Sequence, residues 1–313
     1  ILHFYKRNKM KIAMLGLGKM GGNMATRLIR NGISVVGYDN NQSLVKELVN
    51  TENLIGATSI EDTLAKLDGK KIIWMMLPAG EITENQINDL IPQLSPGDII
   101  IDGGNSNYKQ SVKRGKLLEE NQIGFMDCGT SGGVWGLDNG YCLMVGATPE
   151  VAKIVEPVLK ALAVTPDTGW LHAGPIGSGH FTKMIHNGIE YGMMESFAEG
   201  LELLKGKEEF KLDIAEITEL WRHGSVVRSW LLDLTAEALK ADQTLDEIAP
   251  YVADSGEGRW TVVESIEQGI PCPVLTLALQ VRFRSQEKQK GYGYKVLSTM
   301  RNAFGGHLMK KKG

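Results

Sequence analysis

Between Gly177 and Gly192 the chain reads Gly-Ser-Gly-His-Phe-Thr-Lys-Met-Ile-His-Asn-Gly-Ile-Glu-Tyr-Gly. In a helix, Lys183, His186, Asn187, Glu190 and Tyr191 fall at i, i+3, i+4, i+7 and i+8 and share one face. Phe181, Met184, Ile185 and Ile189 occupy the other sides, which predicts a helix buried around much of its circumference. An amine, an imidazole, an amide, a carboxylate and a phenol on one face can do acid–base chemistry. A lysine whose pKa is lowered by burial and neighbouring cations can take a proton at one atom, and a carboxyl one or two turns away can deliver one at another. The alternative is a solvated stripe with a Lys/Glu helix pair.

Such a face needs a partner to supply chemistry, and the N-terminal half offers one. Lys11-Ile-Ala-Met-Leu15 is a short apolar run that leads into Gly16-Leu17-Gly18-Lys19-Met20-Gly21. A helical pattern follows, and Ser34-Val-Val-Gly-Tyr38 reads as a second strand closed by Asp39. This is a βαβ unit with a G-x-G-x-x-G turn, the arrangement that places a pyrophosphate on a helix N-terminus. Gly16 allows the tight turn, Gly18 lets the backbone approach a phosphate, and Gly21 lets helix and strand pack closely. Asp39 either accepts the ribose hydroxyls of an adenosine, favouring NAD over NADP, or is a turn residue ahead of Asn40-Asn41.

Further strands are expected at 71–76, 98–101, 124–126 and 141–146, with helical patterns between them. Strand–helix alternation of this kind implies an α/β chain with a doubly wound parallel (Rossmann) sheet, whose ligand lies at the C-terminal ends of the strands. The segments after those strands are Leu77-Pro-Ala-Gly80, Asp102-Gly-Gly-Asn105-Ser106 and Asp127-Cys-Gly-Thr-Ser131-Gly132-Gly133. Gly169-Trp-Leu-His-Ala-Gly-Pro-Ile-Gly177 reads as a Gly/Pro break, and beyond it only helical patterns appear. The expected domains are therefore a dinucleotide-binding domain over 10–176 and a smaller all-α substrate and dimerisation domain over 177–313.

The composition is that of an ordinary globular chain: 313 residues, 42% hydrophobic and 23% charged, with a net charge of -3. Nothing global points to nucleic acid or membrane partners, and the apolar runs are too short to span a bilayer. Three cysteines without metal-type spacing read as reduced thiols of a cytoplasmic protein, and no metal-ligand cluster is visible. Residues 1–9 read as an extension ahead of Met10 rather than a signal peptide. From Arg282 onward there are nine Lys/Arg (Arg282, Arg284, Lys288, Lys290, Lys295, Arg301, Lys310, Lys311 and Lys312) against one acid, Glu287. That stretch is either a solvated basic helix with a lysine tail or an anion site.

Ile101-Asp-Gly-Gly-Asn-Ser106, Ser131-Gly-Gly133, His180-Phe-Thr-Lys-Met-Ile-His-Asn-Gly-Ile-Glu-Tyr191 and Arg301-x-x-Phe304-Gly305-x-His307 together resemble the decarboxylating 6-phosphogluconate dehydrogenases. The resemblance runs from Met10 to His307 and is to the short, bacterial-type form. Gly16-x-Gly18-x-Met20-Gly21 and Lys183 with Asn187 are shared with the wider β-hydroxyacid dehydrogenase superfamily. The resemblance implies oxidation of 6-phospho-D-gluconate at C3 and loss of CO2 to give ribulose 5-phosphate. In it Lys183 is the base, Glu190 the acid, and Asn187 the third catalytic residue. Gly16, Leu17, Gly18, Lys19, Met20, Gly21, Asp39, Leu77 and Asn105 would face the cofactor. Asn105, Ser131, Gly132, Gly133, His186 and Asn187 would hold the carboxylate and hydroxyls of a phosphorylated sugar acid. Tyr191, Arg301 and His307 would face its phosphate, with Arg259 and Arg284 as further candidates and Arg282 and Lys290 left open. The family also implies a homodimer or homotetramer, and in its longer members Arg301 and His307 reach in from a partner subunit.

Three departures stand out. Asp39-Asn-Asn41 replaces the Asn-Arg-Thr of the NADP-using members, favouring NAD with NADP as the weaker cofactor. Val134-Trp135 replaces two acids, and Ser255 replaces a lysine whose phosphate role passes to Arg259 or is absent. Rival readings are a 3-hydroxyisobutyrate-type dehydrogenase without decarboxylation and a non-catalytic dinucleotide sensor.

Overall fold

The computed structural model describes residues 10–287 and 291–311. Of the basic residues above, Lys288, Lys290 and Lys312 lie outside the described residues, as do residues 1–9. Backbone contacts divide the chain into one unit ending at Lys183 and a second starting at Met184.

The first unit is an eight-stranded sheet: β1 (Lys11–Leu15), β2 (Ser34–Tyr38), β3 (Ile55–Gly56), β4 (Ile72–Met75), β5 (Ile99–Asp102), β6 (Gly124–Ser131), β7 (Cys142–Ala147) and β8 (Trp170–Gly174). Their order is β3-β2-β1-β4-β5-β6-β7-β8. Its helices are α1 (Lys19–Arg30), α2 (Gln42–Glu52), α3 (Ile60–Ala65), α4 (Glu81–Leu90), α5 (Tyr108–Glu120), α6 (Gly136–Asn139) and α7 (Pro149–Leu162). Period-2 alternation splits the central strands between two cores. Ile12 and Met14 face one with Met24, Leu28 and Val155, while Ala13 and Leu15 face the other with Ile87, Leu118 and Phe125. Strand order reverses between β1 and β4, the crevice where doubly wound sheets hold their ligands.

Two features differ from expectation. The sheet is parallel through β6, but β7 runs antiparallel to β6. The link from Ser131 to Cys142 carries only a 3-10 turn (Gly133–Trp135) and the four-residue α6, too little for the crossover that parallel pairing requires. The α7 crossover then makes β8 parallel to β7. The segment read as a Gly/Pro break therefore holds an edge strand. Its half-buried and exposed residues alternate, so it lacks the apolar run that marks the central strands.

α8 (Ser178–Gly206) begins in the first unit and continues as the opening helix of the second. There it is joined by α9 (Ile214–Trp221), α10 (Trp230–Ala241), α11 (Glu257–Gln268), α12 (Pro273–Ser285) and α13 (Tyr292–Gly305). Tyr191, Met194, Ala198, Leu201, Leu279 and Met300 are among the residues of its core. The expected all-round burial of α8 does not hold within one chain, because Ile189 is 52% and Met193 40% exposed.

Candidate functional site

The β1–α1 turn is built by backbone constraints that only glycine meets. Gly16 has φ +88, and a Cβ there would lie 2.4 Å from the Met76 carbonyl oxygen. A Cβ on Gly21 would lie 1.9 Å from the Gly16 carbonyl oxygen, so the helix would have to move off the turn to admit one. Gly18 is different: a Cβ there would meet nothing within 4 Å. Its lack of a side chain serves no packing need inside the chain and leaves the turn open to a ligand. Gly18 also caps the twelve-residue α1 without a side-chain hydrogen bond of its own. These residues fit a dinucleotide pyrophosphate.

Asp39 closes β2, where one carboxylate oxygen accepts the Leu17 N–H (2.7 Å) and the other the Asn41 N–H (2.7 Å). It therefore braces the glycine turn and its own turn at once. Each oxygen keeps a second lone pair for a ribose hydroxyl. Leu77 packs beside Gly16, Lys19 is exposed, and Met20 is half-buried against the core.

The loop after β5 carries Asn105 exposed at its tip. Its base is held by Arg114 of α5, whose side chain is fully buried and pairs with Asp102 (2.8 Å) and Glu84 (2.9 Å). Ser106 donates to Asp102 (2.8 Å) and accepts from Arg114 (3.1 Å). Sequence reasoning passed over Arg114. Its signal was position: Ser111, Arg114, Gly115 and Leu118 make the buried face of α5. At the end of β6, Ser131, Gly132 and Gly133 are half-buried, with φ +126 and +53 at the two glycines. Lys183 rests on β6, where a Cβ on Gly129 would lie 2.3 Å from its own Cβ.

Within the second unit, His186 Nδ1 is 3.1 Å from Asn187 Oδ1 and 3.9 Å from Glu190 Oε2. One turn on, Tyr191 is buried, with its hydroxyl 3.4 Å from Asp254 Oδ1 and 3.3 Å from Ser255 Oγ. Gly258 lacks a side chain where the Tyr191 ring fills the space. The guanidinium of Arg282 lies over that ring, 3.2 Å from its centroid. Arg282 is 1% exposed, and its Nη2 has no hydrogen-bond partner among the described residues. Burial lowers its pKa to about 10; Tyr191 opposes this and the charge of Arg301 adds to it. Arg301 is itself buried at 6% exposure. The His307 ring sits edge-on to Phe304 (6.0 Å), and its pKa falls to about 4 through desolvation and then the charges of Arg301 and Arg282.

The other candidate cations sit differently. Arg284 is exposed, and Arg259 is ion-paired with Asp254 and stacked on Phe283 (4.4 Å). The structure thus gathers Tyr191, Arg282, Arg301 and His307 within one chain. The buried charges of Arg282 and Arg301 repel each other, and a bound dianion would relieve that repulsion.

Comparison with known proteins matches both units. Residues 11–171 match the NAD binding domain of 6-phosphogluconate dehydrogenase, and residues 179–311 match the C-terminal domain of 6-phosphogluconate dehydrogenase. YqeC of Bacillus subtilis, which carries the 6-phosphogluconate dehydrogenase name provisionally, is 44% identical over 97% of this chain and 100% of its own length. The NAD(+)-dependent, decarboxylating 6-phosphogluconate dehydrogenase of Haloferax volcanii is 36% identical over 97% of this chain and 99% of its own. Among solved structures, the Plasmodium falciparum 6-phosphogluconate dehydrogenase superposes with a TM-score of 0.81 at 29% identity, covering 89% of this chain and 62% of that one. A 3-hydroxyisobutyrate dehydrogenase of Mycobacterium tuberculosis shares the fold, with a TM-score of 0.73 at 20% identity over 94% of this chain and 99% of that one.

Proposed function

The chain belongs to the 6-phosphogluconate dehydrogenase family, and on that premise we propose that it oxidises and decarboxylates 6-phospho-D-gluconate with NAD as the preferred cofactor. The observation that carries this reading is the buried Arg282 stacked on Tyr191, under the charge of a second buried arginine, Arg301, with its Nη2 lacking a partner among the described residues. A small unphosphorylated hydroxy acid needs no such pair, whereas a phosphate dianion matches guanidinium geometry and charge.

In this reading Lys183 takes the proton of the C3 hydroxyl. Bound NAD supplies the hydride acceptor. The protonated amine then polarises the new C3 carbonyl of the β-keto acid, so the electron pair of the breaking C1–C2 bond has a sink as CO2 leaves. Glu190 delivers a proton to the carbon that lost CO2. His186, Asn187, Asn105 and the Ser131-Gly132-Gly133 loop hold the carboxylate and hydroxyls. Tyr191, Arg282, Arg301 and His307 hold the phosphate, with Arg282 taking the role left open among the C-terminal cations. Asp39 supports the NAD preference, since a second negative charge beside it would be repelled. Exposed Ile189 and Met193 on α8, and Val274 and Leu277 on α12, are the surface this reading assigns to a second copy of the chain.

The test is to compare 6-phosphogluconate with gluconate as substrate, in the wild type and in Arg282→Met. The phosphate should account for most of kcat/KM in the wild type and for little in the variant. An equal preference for the two substrates in the wild type contradicts the reading.

A further inference from the structure

Beneath Lys183 lies a cluster of buried polar groups that the mechanism above does not use. Asp127, on β6, is 0% exposed. One of its oxygens accepts the Gly177 N–H (2.6 Å) and the other the His180 N–H (2.7 Å). Both donors belong to the entry turn of α8, where backbone N–H groups lack partners within the helix. They are capped by a carboxylate some fifty positions earlier in the chain, with its charge at the positive end of the helix dipole. Burial pushes the Asp127 pKa up, and His180 and the two N–H donors pull it back.

The surrounding residues let helix and sheet approach closely. A Cβ on Gly146 would fall 2.4 Å from Asp127 Oδ1. One on Gly179 would fall 2.5 Å from the carbonyl oxygens of Asp127 and Met144. On the far side, His180 is 1% exposed and its Nδ1 lies 2.7 Å from Ser111 Oγ. Its Nε2 is buried without a partner among the described residues. A buried, charge-assisted clamp on a helix end, with no side chains in the gap, fixes that end far more tightly than surface capping does.

What the clamp fixes is the height of Lys183, which is one turn beyond His180 and has its stem against Gly129. We propose that Asp127 is a positioning residue for the reaction: it holds the first turn of α8 down on β6, so that the Lys183 stem rests on Gly129 and its amine is held at one place. This rests on the reading of Lys183 as the base. Asp127 is absent from the cofactor, carboxylate and phosphate contacts proposed above, so its loss acts through Lys183.

The experiment uses the full chain with NAD and 6-phosphogluconate, unlabelled and deuterated at C3. Asp127→Asn keeps the shape but offers one acceptor oxygen where the carboxylate offers two. Misplacing a reacting group by about 1 Å can cost on the order of a hundredfold. The expected result is therefore a kcat lower by at least about tenfold, an unchanged KM for NAD, and a larger deuterium isotope effect on kcat. A wild-type kcat overturns the proposal. So does a loss of kcat matched by an equal loss of NAD affinity, the mark of a merely structural role. Should Asp127→Asn not fold, Gly129→Ala decides, because its methyl presses on the Lys183 stem from the sheet side. The same split is expected, and an unchanged kcat overturns the proposal. Lys183→Ala, measured in parallel, separates the two ideas. If it retains turnover, the base reading fails whatever Asp127→Asn does. If it is inactive while Asp127→Asn behaves as wild type, only the positioning role fails.

Discussion

At the end of β1 the candidate ligand contacts belong to the backbone: a helix N-terminus whose N-cap is a glycine, with open space where a side chain would stand. Near the end of α12 they belong to side chains: a guanidinium on a tyrosine ring, a second arginine, and an imidazole whose pKa is lowered by burial and then by the charges of both arginines. The first arrangement costs little in the absence of a ligand, because the partial charges of a helix end are already part of the helix. The second is strained without one, because it buries like charges together. Substitutions in the first region should therefore separate folding from binding by position, while those in the second should couple stability to ligand and pH.

The largest effect belongs to Lys183, where the first unit ends. Lys183→Ala should reduce kcat by about 10²- to 10⁴-fold, the usual contribution of a general base, while titration shows NAD affinity within about twofold of wild type. Lost NAD affinity with retained turnover would remove Lys183 from its role. Next comes Arg282→Met, which removes a charge-assisted bond of about 1.5–3 kcal/mol and so should raise KM for 6-phosphogluconate by about 10- to 100-fold. NAD affinity should not change. The melting temperature without ligand should hold or rise, since the methionine replaces an uncompensated charge.

Glycine substitutions sharpen the contrast within the first region. Gly18→Ala should leave the melting temperature unchanged and weaken NAD binding, because its methyl enters space a ligand needs. Gly16→Ala should lower the melting temperature even without NAD, because its methyl meets the Met76 carbonyl and its φ is +88. Equal melting temperatures for the two variants would mean that the glycines do not divide the work. Asp39→Ala should narrow the kcat/KM preference for NAD over NADP and, through the lost Leu17 bond, lower stability slightly. An unchanged ratio leaves Asp39 as a brace alone.

The smallest effect is pH-linked. His307 has a folded pKa of about 4 against an ordinary value of 6.5. Between those values the unfolded chain binds more protons, so stability falls as pH drops from 6.5 toward 4. Thermal melts in phosphate-free buffer should show this slope, and His307→Asn should flatten it. A dianion bound between Arg282 and Arg301 should also flatten it by restoring the affinity of His307 for a proton.

How much of this was legible in the sequence varied with the range of the forces involved. The glycine turn and the strand before it could be read directly, because each glycine answers a local steric demand. The shared face of Lys183, His186, Asn187, Glu190 and Tyr191 followed from helical period alone. Choosing Arg282 over Arg284 could not follow from period. α12 is apolar on nearly every side, with Val274, Leu275, Leu277, Ala278, Leu279, Val281 and Phe283, so no stripe marks its buried face. Two residues apart, the two arginines point to different sides, and tertiary packing alone buries one of them. β8 escaped because an edge strand flanked by glycine carries no buried apolar run. Asp127 was placed only in the segment after the strand expected at 124–126, whereas β6 runs on to Ser131 and the donors to Asp127 lie some fifty positions away.

The most direct measurement is the product balance of the wild-type chain supplied with 6-phosphogluconate and NAD, set against 3-hydroxyisobutyrate and NADP. The expected result is NADH and CO2 released in equal amounts from 6-phosphogluconate, faster with NAD than with NADP, and negligible turnover of the small acid. NADH without CO2, or a faster reaction with 3-hydroxyisobutyrate, would contradict it.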